Sequence, residues 1–122
     1  MKMIRLYSGD DGQSHFEDVE ITLNKNEVGS FGLPIKTDEL TFAIAEAEGI
    51  SKLSWHTTDV PTYIVILEGA MELEVGDGTK RTIKAGDILL AEDLTGQGHL
   101  THAINNQNWR FLMLTAAKSN PD

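Results

Sequence analysis

Cysteine is absent from this 122-residue chain, which excludes disulfides, thiolate nucleophiles and cysteine-ligated zinc and fits a reducing compartment. Basic residues are scarce: 10 lysines and arginines stand against 19 aspartates and glutamates, for a formal net charge of −9. Such a chain repels a phosphate backbone instead of displacing its counterions, so nucleic acid is not an expected partner. Solubility accounts for the acidity itself. No apolar run approaches the roughly 20 residues of a membrane helix, and no membrane partner is expected. The opening MKMIRLYSGDDGQ has basic residues but neither an apolar stretch nor a small-residue cleavage site after them, which leaves the cytoplasm as the expected location. Nucleotide and hydrolase signatures are missing too. GDDG and GDGTK lack the glycine spacing and following helix of a phosphate loop, and SHFED lacks the elbow context of a serine hydrolase.

What is present is a β pattern. Glycines punctuate the chain, and the segments between them are strand-length and apolar-alternating. In MELEV, Met71, Leu73 and Val75 share one strand face while Glu72 and Glu74 share the other, as a half-buried strand requires. GDGTK supplies a hairpin turn with TYIVILEG as the expected partner strand, and KAGD turns the chain into ILLA, giving an antiparallel meander. In ELTFAIAEAEG the composition favours helix and Thr37 could cap one, but Leu40, Phe42 and Ile44 alternate and the segment is read as a strand. HFEDVEITL and NWRFLMLTA are further strands. With neither repeats nor a linker, the chain reads as one all-β domain over 1–122. It has an N-terminal strand or arm at about 1–24, a core at about 38–115 and a loose tail at 118–122. A barrel or jelly roll would pair or cover its sheet edges and could hold a ligand in its mouth.

The stretches WHTTDVPTYIVILEGAMELEV and KAGDILLAEDLTGQGHLTHAINN resemble the two sequence motifs of the cupin superfamily. Anchored at Gly69, the first motif puts His56 and Thr58 at its two histidine positions and Thr62 at its glutamate. The second begins at Gly86 and ends in GQGH, with Gly96 at its last glycine and His99 at its histidine. Leu94 stands where that motif has proline, and Ala103 where it has asparagine. The resemblance implies a cupin-type double-stranded β-helix, or jelly-roll barrel, and a homodimer, as small cupins often form. Metal-binding cupins hold iron, manganese, nickel or zinc with three histidines and a glutamate. Here His56 and His99 remain, and they are the residues a divalent metal would use.

Two ligand positions are few for a transition ion unless Asp59, Glu92, Asp93 or a chelating substrate adds to them. The expectation is therefore a site without a metal cofactor. A lone histidine on an apolar strand reads as a core or surface residue, but two brought into one mouth can act as acid and base. Thr58 and Thr62 would orient a small organic ligand, with Ile64, Ile66, Met71 and Leu73 as an apolar wall. Such a pocket suits isomerisation, cyclisation, elimination or hydration. A metal-dependent oxygenase, isomerase or lyase and a non-catalytic binding or sensory module are the alternatives. Trp55 is expected on the strand face opposite His56. His102, three residues after His99, falls on the other face unless a bulge intervenes, although its spacing to Asn106 allows a shifted register. His15 is expected at an exposed edge. In AEDLTGQGH, Glu92 or Asp93 could fix the tautomer of His99 through its other ring nitrogen, or form a solvated acidic loop.

Overall fold

The computed structural model describes residues 1–117; the tail expected at 118–122 lies outside them. The described chain is all-β apart from one short helix. β1 (Lys2–Ser8) and β2 (Ser14–Glu20) form a hairpin, followed by a small hairpin of β3 (Asn24–Lys25) and β4 (Ser30–Phe31). β5 (Thr37–Ala45) leads into α1 (Ala47–Ile50). Then come β6 (Thr62–Glu68), β7 (Ala70–Glu74), β8 (Lys80–Lys84), β9 (Ile88–Glu92), β10 (Leu100–Ala103) and β11 (Trp109–Ala116). A six-stranded sheet has the order β2-β1-β9-β6-β11-β5, and a three-stranded sheet the order β10-β7-β8. Neither ladder closes into a barrel: β2 and β5 are free edges of the larger sheet.

One core lies between the sheets. The larger contributes Ile4, Leu6, Ile66, Leu89 and Ala91, and the smaller Met71, Leu73 and Ile83, with Val75 just past β7, all buried. Each large apolar side chain so buried contributes about 1.5–3 kcal/mol. The alternation in MELEV holds, with Glu72 and Glu74 on the side away from the core. The strands expected at 15–23, 39–49 and 108–116 form as β2, β5 and β11, although β5 stops at Ala45 and the chain then turns into α1. β1 runs parallel to β9 and buries Ile4 and Leu6.

The meander is corrected by the pairing. GDGTK joins β7 to β8, so the hairpin partner of MELEV is Lys80–Lys84, with β10 on its other side, while TYIVILE pairs with β9 and β11 in the other sheet. The chain crosses between sheets at Gly69, whose φ of +82° suits a residue without Cβ. A Cβ there would lie 2.9 Å from the Trp109 Cβ and 3.0 Å from the Asn108 carbonyl. Gly69→Ala is expected to lower stability by about 2 kcal/mol, from the left-handed backbone and this crowding together. Urea denaturation measures it, and an unchanged midpoint would show that the crossing does not require glycine.

Candidate functional site

His56 and His99 meet through their own backbones. The His56 N–H donates to the His99 carbonyl at 3.1 Å and the His99 N–H to the His56 carbonyl at 2.8 Å, an isolated antiparallel bridge outside the named strands. Paired residues on a bridge project to the same side, and the two imidazole centroids are 4.5 Å apart with the planes inclined at 59°. Gly98 permits the approach. Its φ is +79°, and a Cβ would fall 2.0 Å from the His56 carbonyl oxygen.

The protein also sets the tautomers. His56 Nδ1 lies 2.8 Å from the Ser54 carbonyl, which can only accept, so Nδ1 carries the proton. His99 Nδ1 lies 2.7 Å from Asp93 Oδ2, with the same consequence. Among the described residues no partner bonds either Nε2, and both rings line one cavity. The pair therefore offers two basic nitrogens, or one base and one acid, to whatever occupies that cavity.

Asp93 is fully buried. Ser14 Oγ donates to its Oδ2 at 2.7 Å, Thr58 Oγ1 donates to its Oδ1 at 2.8 Å, and the Thr58 N–H donates to its backbone carbonyl at 3.0 Å. Burial pushes the Asp93 carboxyl up. The hydrogen bond and charge of His99, with the hydroxyls of Ser14 and Thr58, outweigh that and hold it below the ordinary carboxylate range. Glu92, its neighbour, points the other way and pairs with Arg5, which also pairs with Glu17 at 2.7 Å. Of the two carboxylates in AEDLTGQGH, Asp93 orients His99 and Glu92 does not.

The cavity measures about 320 Å³. Ile64, Met71 and Leu73 line it, together with Leu89, Phe111 and Met113. Ile66 does not line it: one inward position further along β6, it sits 1% exposed in the core. Thr58 and Thr62 both border the cavity, but their hydroxyl protons are committed, to Asp93 and to the Val60 carbonyl at 2.7 Å. Only their oxygen lone pairs are left for a ligand. Trp55 is partly buried and outside the lining, and His102 lies on the opposite face of β10, 2.9 Å from Glu74 Oε1. His15 is on the edge strand β2 with its Nε2 at the Asp11 carboxylate. Ser14 was not among the expected residues, and its short polar side chain carries no motif that would single it out.

The donor set does not fit a resident transition ion. Two Nε2 atoms are available, Asp93 lies behind His99 with its oxygens engaged, and among the described residues no three of His, Cys, Asp and Glu converge on one point. Such ions draw three or four protein ligands. Among the described residues no helix is long and apolar enough to cross a membrane.

No protein-family model matches the sequence, and no curated protein is similar to it. In shape the chain is similar to the crystal structure of protein NMB1881 from Neisseria meningitidis, with a TM-score of 0.50 at 12% identity over 80% of this chain and 84% of that one. The likeness concerns the fold alone.

Because the folded state holds Asp93 below its ordinary pKa, it binds fewer protons than the unfolded chain. The resulting stability is full above the carboxylate range and is lost as pH falls through the lowered value. Asp93→Ala, which strands three donors in a dry site, is expected to cost about 3–5 kcal/mol at neutral pH. Asp93→Asn is expected to lose less further stability than the parent between about pH 5 and pH 2. Thermal unfolding across that range checks both.

Proposed function

We propose that the chain is a cupin-type jelly roll whose pocket binds a small, largely apolar organic molecule, and that His56 and His99 exchange protons with it. One observation carries this reading: both imidazoles have Nδ1 spent on fixed acceptors and Nε2 free in the same cavity. The motif resemblance around Gly69 and Gly86 supports the fold, and the apolar wall around few polar groups supports a small organic ligand. A cysteine-free chain is in keeping with action in the cytoplasm.

The division of labour follows from what stands behind each ring. Asp93 stabilises a positive charge on the ring in front of it, so in this reading His99 is the ring that carries a second proton and hands it on. His56, backed by a neutral carbonyl, starts as the acceptor. His56 Nε2 takes a proton from the substrate while His99 Nε2 gives one to a neighbouring atom, which isomerises the molecule, and after product leaves the proton on His56 is lost to solvent and His99 regains one. Where the second atom is a leaving hydroxyl, the same transfers release water.

The test is solvent deuterium exchange into a panel of small ketones, 2-oxo acids and β-keto esters, followed by proton NMR. The parent protein is expected to catalyse exchange into at least one of them, and His56→Gln or His99→Gln to slow it by about 100-fold or more. Saturable binding without exchange would make this a binding module. Stoichiometric metal in the purified protein, lost in His56→Ala, would replace the metal-free reading.

A further inference from the structure

Among the described residues no lysine, arginine, aspartate or glutamate lines the cavity. Its polar groups are the two imidazoles, four threonines and one indole. Thr58 and Thr62 have given their protons to Asp93 and to the Val60 carbonyl. Thr101 differs. It follows His99 by two residues at the entry to β10, which puts both side chains on one side of the chain, and both line the cavity. Its register partner on β7 is Leu73, another lining residue. Among the described residues nothing accepts the Thr101 hydroxyl proton, which leaves it to turn toward a ligand. The buried indole N–H of Trp109, on β11, also has no acceptor among them.

This lining selects against formal charge. A carboxylate drawn into the cavity would lose its water and meet neither lysine nor arginine, and a proton on His99 is already balanced by Asp93. An ammonium group would meet no carboxylate there. A hydrocarbon would carry no penalty of its own but would leave the dry donors without acceptors. The complement of the cavity is an uncharged molecule that presents an oxygen.

Building on the proton exchange proposed above, we infer that the substrate is an uncharged carbonyl compound, a ketone or an ester, whose oxygen accepts the hydroxyl proton of Thr101 in a hydrogen bond. A carbonyl also makes the neighbouring carbon acidic enough for an imidazole to act on it. As His56 Nε2 takes that carbon's proton, the electron pair of the C–H bond forms a carbon–carbon double bond and the carbonyl π pair moves onto oxygen. The Thr101 hydroxyl donates to the oxygen while its charge grows, and His99 Nε2 then protonates it to give the enol. Thr101 thus decides which molecules are held in register with the two rings, and 2-oxo acids are disfavoured by their carboxylate.

The test reads binding, not turnover. Cyclohexanone, acetophenone and 2-octanone are titrated beside the alkenes in which C=CH2 replaces C=O and beside cyclohexanecarboxylate, benzoate and octanoate. The methyl resonances of Met71 and Met113, both in the lining, report occupancy. At least one ketone is expected to bind more tightly than its alkene and its carboxylate. Thr101→Val keeps the shape and suits a strand; it should weaken that ketone by roughly tenfold, leave the alkene unchanged, and be rescued in Thr101→Ser. A carboxylate bound as tightly as the ketone, a ketone-to-alkene ratio untouched by Thr101→Val, or no ketone that shifts the two methyls at millimolar concentration would each overturn the inference. Ketones held through Thr101 without solvent exchange would uphold it and sink the proton-transfer reading, whereas exchange with an unaltered ratio would do the reverse.

Discussion

A single buried carboxylate holds the functional end of the molecule together. Moving the charge of Asp93 out of water costs several kcal/mol, and the cost is offset only while its donors stay in place. Those donors come from separate parts of the chain: Ser14 from β2, Thr58 from the irregular segment before β6, and His99 from the loop after β9. Displacing any one leaves the charge under-satisfied. The site and the packing of the N-terminal hairpin are therefore one cooperative unit, and the orientation of His99 is inherited from the same contacts.

Legibility in the sequence followed the range of the interaction. Period-two alternation made the two faces of β7 readable, and the parity that sets His102 apart from His99 was readable for the same reason. The tie between Asp93 and His99 could be anticipated because six residues separate them across a glycine-bearing loop. Sheet membership could not. TYIVILE and MELEV are adjacent and both strand-like, and what sends them to different sheets is a crossing at Gly69 that looks like any turn. Ile66 has the same parity as Ile64, but depth along a strand depends on what packs beneath it, which periodicity does not encode. Ser14 acts across 79 residues and leaves no local mark.

The strand faces divide the chain's chemistry. Asp93 apart, the charges cited lie away from the core, Glu72 and Glu74 on the outer side of the small sheet and Arg5 with Glu92 on the outer side of the large one. The cavity holds two imidazoles among aliphatic and aromatic walls. Electrostatic effects there are governed by Asp93 and the two rings, since few other charges compete and the surroundings screen poorly.

The bridge between His56 and His99 also bears on how such a site can change over time. Because the two rings are placed by main-chain hydrogen bonds, a glycine and their own Nδ1 acceptors, their spacing does not rest on the apolar side chains of the cavity wall. Met71, Met113, Ile64 and Phe111 can be exchanged for larger or smaller residues, redrawing the shape of the cavity, while the two nitrogens keep their spacing. The molecule thus separates what recognises a ligand from what moves a proton, and a lineage built on it can drift in substrate without rebuilding its chemistry.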